Sequence, residues 1–383
     1  LEAYDSEVRW SLRLGSISGI DIRVHFTFAL LVVIGAQQLG QLHGSRGALF
    51  GALSVVCLFA CVVLHELGHS LVAQRFGVGV REIVLLPIGG VARLLSEPKK
   101  PLHELLIALA GPGVNVVIAL GLFSVLQVSP WPLFDLGELQ KSPPSARNLL
   151  LLLFYGNVAL AVFNMVPALP MDGGRVLRAL LSFVCGQVRA TNITAGLAQV
   201  LAVGMAFYGV QHSPLLVFIA LLVFMGAEQE RSTARTNALL SELRAGEVCD
   251  PQAITFAPGD TVGTAVDQSL RSSQAHFLVT YGTEPIGTLS RDDVIALAGR
   301  VGLHTPLSTI TRRAPQMVPP DMLLSDVRRI LQENGGAPVV VRSEEATLGV
   351  LGFEDLSRIA SLTDLLARGG VRRPVAPSPE TSP

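Results

Sequence analysis

Val63-Leu64-His65-Glu66-Leu67-Gly68-His69-Ser70 decides how this chain is read. In a helix, residues four apart lie on one face and one turn apart. His65 and His69 therefore present two imidazoles as two ligands of a tetrahedral zinc ion must be placed. Glu66 stands beside the first of them, where a carboxylate takes a proton from a metal-bound water; this is the His-Glu-x-x-His arrangement. The residues that lead in are the unusual part. From Leu49 through Phe50, Cys57 and Cys61 to Val62 there is no charge at all. A zinc site in a water-soluble protein needs no such run, and one inside a membrane does.

Composition agrees. Of the 383 residues 50% are hydrophobic and 15% charged, and the mean hydropathy is +0.50. That is the balance of a membrane protein with a soluble portion attached, with room for two or three domains. A net charge of -1 gives no basis for direct nucleic-acid binding. The four cysteines (Cys57, Cys61, Cys185, Cys249) form no C-x-x-C pair, and nothing argues for a disulfide framework. Trp10 to Arg23 is mixed and polar and does not read as a cleavable signal.

Six apolar segments approach the roughly 20 residues that span a bilayer: Phe26 to Leu42, Leu49 to Phe76, Leu102 to Leu126, Leu149 to Val166, Ile193 to Val210 and Leu215 to Ala227. Between the second and third, Val80 to Leu94 has two β-prone runs around Pro87 and Gly89-Gly90, and reads as a hairpin too short to span. Ser129 to Arg147 reads as an exposed loop. Six spans put both termini on one side. That side holds Arg9, Arg13, Arg23, Arg75, Arg81, Arg93, Lys99, Lys100, Arg175, Arg178 and Arg189, against Arg46, Lys141 and Arg147 opposite. The positive-inside rule then makes the N-terminus, the hairpin and the chain beyond Glu228 cytoplasmic.

Two histidines leave a catalytic zinc one protein ligand short. Ionisable residues in apolar spans are functional by default. Asp172 is the candidate: Pro167 and Pro170 break the helix before it, and Gly173-Gly174 lets another backbone come close. The alternative is that Asp172 caps the next helix. The remaining histidines (His25, His43, His103, His212, His276, His304) lie at helix ends, in loops or in the soluble part, and are not read as ligands.

His65-Glu66-Leu67-Gly68-His69 together with Asn164-x-x-Pro167-x-x-Pro170-x-Asp172-Gly173 resembles the site-2 protease family of intramembrane zinc metalloproteases. The resemblance covers Val24 to Glu228 and includes Gly89-Gly90 and Gly111-Pro112-x-x-Asn115. Met171 stands where Leu is usual before the Asp-Gly. The family implies six helices, one Zn2+ on His65, His69 and Asp172, and cleavage of peptide bonds in or near a substrate's transmembrane segment. Glu66 would activate the water, and Asn115 would donate a hydrogen bond to substrate or oxyanion; its other reading is an interhelical hydrogen bond. The hairpin, through Gly89 and Gly90, offers an edge to an extended substrate, or is merely a connection. Asn164 and Pro167 hold the substrate, or Asn164 only satisfies carbonyls that the prolines free. Relatives release membrane-bound transcription regulators such as pro-sigma or anti-sigma factors, so the expected partner is a single-span membrane protein of that kind.

After the polar, helix-prone linker at 229–244 comes an approximate repeat, 245–302 and 303–365, with a tail at 366–383 read as disordered. Ala257-Pro258-Gly259-Asp260 answers Val318-Pro319-Pro320-Asp321, and Gly287-Thr288-Leu289-Ser290-Arg291-Asp292-Asp293 answers Gly349-Val350-Leu351-Gly352-Phe353-Glu354-Asp355. The repeat resembles a tandem pair of cystathionine-β-synthase (CBS) domains, which implies regulation by an adenine nucleotide bound through Ser290, Asp293 and Asp355. Gly352 replaces the hydroxyl in the second copy. The alternative is a pair that only docks or dimerises the protein. The expected architecture is thus an α-helical polytopic membrane protein of about six transmembrane helices, with a short β-hairpin after the second, plus a cytosolic α/β tandem CBS domain. A rival reading is a CBS-regulated channel or transporter whose intramembrane His and Asp line an ion path.

Overall fold

The structure is a computed structural model that describes residues 11–86, 89–94, 98, 100–127, 143–249, 253–272, 274–309, 315–344 and 346–359. The expected loop at Ser129 to Arg147 lies outside these residues as far as 142, and so does the expected tail. The chain divides into two compact units, Leu1–Ala234 and Arg235–Pro383.

In the first unit the apolar runs form helices α1 (Phe28–Arg75), α2 (Pro101–Leu126), α3 (Ala146–Asn164), α4 (Asp172–Cys185), α5 (Gln187–His212) and α6 (Pro214–Leu240). Of these, α1, α2, α3 and α5 are long and apolar enough to cross a membrane. At 48 residues α1 is over-long for one crossing, and it is not one rod. His43 (φ -132°) and Gly44 (φ 63°, ψ -151°) break it. A straight helix would separate Gly35 and Gly51 by about 24 Å. Instead a Cβ on Gly35 would stand 3.2 Å from the Gly51 carbonyl oxygen, and one on Gly40 3.2 Å from Ala48 Cβ. The two arms run back along each other, held close by glycines that remove the side chains between them. The apolar stretch Leu215 to Ala227 is the first half of one helix, α6, which continues through the charged residues to Leu240. Many large apolar side chains point outward, among them Val117, Val200, Phe207 and Leu215. Water would disfavour such a belt, and lipid accommodates it.

The expected hairpin is part of something larger. Strands β1 (Ser11–Ile17), β2 (Ile20–His25), β3 (Val80–Leu86) and β4 (Gly89–Leu94) form one sheet in the order β1-β2-β3-β4. β1 and β2 pair antiparallel around Ser18 and Gly19, both at positive φ, as the tight turns of hairpins require. β2 then runs parallel to β3, with all of α1 as the crossover, and β3 pairs antiparallel with β4. The segment read as mixed and polar is therefore two strands, and β4 is left as an edge beside the end of α1. Ile20, Ile22, Val80, Ile83 and Leu85 pack on Leu67 and Ala73 of α1 and Ile107 of α2. Buried Glu82 forms an ion pair with Arg23, Nε to Oε2 2.9 Å, and accepts from Arg93 Nη1 at 2.7 Å, tying three strands together.

In the second unit, β5 (Thr255–Phe256), β6 (His276–Tyr281) and β7 (Glu284–Ser290) form one sheet, and β8 (Met317–Val318), β9 (Val339–Arg342) and β10 (Thr347–Leu351) a second. Phe256 pairs Val279 in one and Val318 pairs Val341 in the other, so the two copies share topology and register. Their opening segments are exchanged. Ala245 N–H donates to Met322 O and Gly246 N–H to Pro320 O, whereas Gly263 N–H donates to Leu303 O and Leu307 N–H to Asp260 O. Leu240, Leu243 and Ala245 accordingly belong to the core of the second copy.

A bulky residue at Gly51 must drive the arms of α1 apart. Gly51→Leu is expected to cost about 1–3 kcal/mol or more and to lower the thermal midpoint in detergent. Gly121→Leu, where a Cβ meets open space, should leave the midpoint unchanged.

Candidate metal centre

The second arm of α1 places His65 and His69 side by side, with ring centroids 4.7 Å apart. α3 stops at Asn164, before Pro167 and Pro170, and the connection returns the chain so that α4 begins at Asp172. Asp172 Oδ2 then lies 3.2 Å from His65 Nε2 and 3.1 Å from His69 Nε2, with the two Nε2 atoms 3.1 Å apart. Among the described residues this is the group of three donors that could hold a metal ion. Ligands about 2.0–2.1 Å from a tetrahedral zinc lie about 3.3 Å from one another, close to the spacing found. The His69 Nδ1–H donates to Ile107 O at 2.7 Å, which fixes the tautomer and leaves the Nε2 lone pair facing the other donors. Two imidazoles and a carboxylate leave a fourth position open, as a catalytic zinc requires. The residues present therefore fit the ion.

Glycines make the approach possible. A Cβ on Gly111 of α2 would fall on the His69 ring and stand 2.7 Å from His65 Nε2. One on Gly68 would come 2.9 Å from Ala110 O, so α1 and α2 cross closely there. Gly173 and Gly174 lie against the backbone of Met165, Val166, Ala168 and Leu169, which folds the connection tightly under Asp172. Gly90 of β4 sits on Glu66: a Cβ there would be 2.5 Å from Glu66 Cγ. The edge strand and the candidate base thus adjoin. Asn115, one turn beyond Gly111 on the same helix face, is fully buried, and neither its Oδ1 nor its Nδ2 has a hydrogen-bond partner among the described residues. Asn164 is half-buried at the end of α3, and Pro167 is exposed on the connection.

Sequence reasoning missed the charged residues behind the site. Arg178 of α4 donates to Glu104 of α2 at 2.6 Å and to Glu230 of α6 at 2.7 Å. Leu102-His103-Glu104-Leu105-Leu106 and Val176-Leu177-Arg178-Ala179-Leu180 were the available signal, since an ionisable residue among apolar ones needs a partner.

In the second unit Ser290 and Asp293 cap each other at the start of helix α7 (Arg291–Val301). Ser290 Oγ–H donates to Asp293 Oδ2 at 2.7 Å and Asp293 N–H donates to Ser290 Oγ at 3.0 Å. The second copy differs. Asp355 accepts from Gly352 N–H at 3.0 Å, and the His276 ring lies directly on Gly352, occupying the space a side chain there would need. His276 Nε2 is 3.6 Å from Asp355. Asp355 is therefore covered by a side chain of the first copy, whereas Asp293 is exposed.

Comparison with known proteins places this geometry. The peptidase family M50 model matches residues 53–208, and the CBS domain model matches 245–299 and 307–362. Zinc metalloprotease MJ0392 of Methanocaldococcus jannaschii is 32% identical over 362 residues, 94% of this chain and 98% of that one. The chain belongs to peptidase family M50, the site-2 protease family. Stage IV sporulation protein FB of Bacillus subtilis is 30% identical over 164 residues, 43% of this chain and 48% of that one. Among solved structures, a site-2 protease from Methanocaldococcus jannaschii is 40% identical and covers 58% of this chain and 95% of that one, with a TM-score of 0.44. Family membership makes the chain an integral membrane metalloprotease with tandem CBS domains.

Two outcomes are expected. Gly111→Ala puts a methyl on the His69 ring, so zinc per chain by atomic absorption should fall well below one; Gly113→Ala, where a Cβ meets open space, should keep it. Burial holds the His276 imidazole below its usual range despite the carboxylates of Asp355, Glu354, Asp293 and Asp292. The unfolded chain then binds the extra proton, so stability is full above about pH 6.5 and declines as pH falls. His276→Pro, the residue at the matching position Pro338, should flatten that decline by up to one proton in pH-dependent unfolding of the second unit.

Proposed function

We propose that this protein hydrolyses peptide bonds in or beside a transmembrane segment of a membrane-protein substrate, by regulated intramembrane proteolysis. The observation that carries the reading is the convergence of His65 Nε2, His69 Nε2 and Asp172 Oδ2 within 3.2 Å, on helices whose outer surface is apolar, next to Glu66. Zinc held by these three residues supplies Lewis acidity to the scissile carbonyl and lowers the pKa of a water to about 7. Glu66 takes the proton of the attacking water and delivers it to the leaving amine. Asn115, buried with an unused amide, donates to the oxyanion or to the substrate backbone.

A membrane-spanning helix has no free backbone groups, so the substrate unwinds before cleavage. Edge strand β4 accepts it as an added strand, and the glycine at position 90 lets the new strand lie close to Glu66. Asn164 and Pro167, at and just past the end of α3, hold the extended substrate in this reading. Six passes with the N-terminus, the active-site opening and the CBS pair in the cytoplasm account for the distribution of basic residues. An adenine nucleotide bound through Ser290 and Asp293 of the CBS pair adjusts activity; the cover that His276 places over Asp355 favours the first copy as the nucleotide-binding side.

The test uses purified protein in detergent with a single-span substrate, wild type beside Glu66→Gln, with zinc measured in both. Glu66→Gln is expected to keep its zinc and lose at least about a hundredfold in cleavage rate. Undiminished cleavage by that variant, or a wild type without zinc, overturns the reading.

A further inference from the structure

One guanidinium joins α4, which carries Asp172, to α2 and α6. Arg178 lies on α4, six residues past Asp172. Its Nε donates to Glu104 at 2.6 Å and its Nη1 to Glu230 at 2.7 Å. Arg175, one turn past Asp172, adds a longer approach to Glu230 at 3.5 Å. The Arg178 and Glu104 side chains are 13% and 7% exposed, so this is an interior cluster rather than a solvated surface pair.

Two of these helices touch the metal centre, and the third packs on the connection that leads to Asp172. On α2, Ile107 lies one turn past Glu104, and its carbonyl accepts from His69 Nδ1; Gly111, a further turn on, clears the space beside both rings. α4 opens with Asp172 itself. On α6, a Cβ on Gly226 would stand 2.8 Å from Pro170 Cγ, and Ala227 packs with Ala168 and Leu169; Glu230 is one turn past Gly226. The histidines are thus aligned from α2 and the carboxylate is presented by α4. The direct Arg178–Glu104 bond holds those two helices at a set spacing, and Glu230 holds the third against α4.

We propose that Arg178, through Glu104 and Glu230, is a positioning residue that sets the distance between Asp172 and the two histidines, and with it the affinity and geometry of the metal site. This rests on the reading of His65, His69 and Asp172 as ligands. A role in packing alone would be satisfied by any well-filled interior. A role in positioning demands the particular reach of a guanidinium that bonds two carboxylates at fixed angles.

The two roles separate in a double variant. Glu104→Met with Arg178→Met replaces the bridge by apolar side chains of similar length and leaves neither charge buried alone, while Glu230 keeps Arg175. Three properties are measured on the full chain in detergent: thermal unfolding without zinc, zinc affinity by competition with a chromophoric chelator, and the visible absorption of the cobalt-loaded protein. The expected result is unfolding like wild type, zinc binding about ten- to a hundredfold weaker, and an altered cobalt spectrum. Arg178→Lys, which keeps a cation opposite Glu104 but cannot bond both carboxylates at those angles, is expected to recover only part of the affinity. Unchanged zinc affinity and cobalt spectrum in the double variant overturn the proposal.

Should the double variant not fold, Glu230→Gln at the more exposed partner is measured in the same way. A loss of about threefold or more supports the proposal, and none overturns it. A wild type that binds no zinc, or binds it equally after His65→Ala, sinks the ligand assignment and this inference together. Loss of zinc on His65→Ala with no change in the double variant sinks this inference alone.

Discussion

His69 and Asp172 are 103 positions apart in the chain and their donor atoms are 3.1 Å apart in the fold. Bringing a carboxylate and two imidazoles together among apolar helices strips them of water, which is unfavourable unless a cation or protons offset it. Much of the first unit follows from that approach. α1 and α2 must cross closely, hence Gly68 and Gly111. The connection into α4 must fold tightly under the carboxylate, hence Gly173 and Gly174 against the backbone of residues 165–169. A side chain at any of these positions would move a donor by more than the tolerance of a tetrahedral site.

The sheet serves the same centre from its other side. A lone hairpin would have two free edges. Pairing β2 parallel to β3 closes one, and among the described strands β4 keeps the free edge next to Glu66. The Arg23–Glu82–Arg93 cluster spans β2, β3 and β4 and resists fraying of that edge. A sheet wedged against the ends of α1 and α2 by Ile83, Leu85, Leu67 and Ile107 holds the edge beside the Glu66 carboxylate.

The second unit shows how a repeated sequence yields an asymmetric pair. His276 and Ser290 of the first copy answer Pro338 and Gly352 of the second. The larger ring at 276 fills the space emptied at 352, so the two halves interlock and cease to be equivalent. Exchange of the opening segments adds to this. Each copy's core is completed by residues that precede the other copy in sequence, so neither half is a whole folding unit alone.

Local patterns carried much of this architecture. Apolar runs of bilayer length, a helix spacing of four between His65 and His69, prolines ending α3, and the 62-residue offset from Gly287 to Gly349 each act through neighbours in the chain, and all can be read there. The parallel pairing of β2 with β3 could not be read, because the strands are separated by the whole of α1 and the register depends on packing against Leu67 and Ile107. The Ser18-Gly19 turn was a local signal that went unused. The Arg178 cluster and the ring of His276 over Gly352 depend on which helix or strand faces which. Such contacts come from long-range packing, where position along the chain no longer indicates proximity. The motif at 65–69 determined what chemistry the protein is equipped for. The tertiary structure decided that Asp172 meets that motif, what holds it there, and which strand edge lies beside Glu66, because those distances exist only once the helices and the sheet have packed.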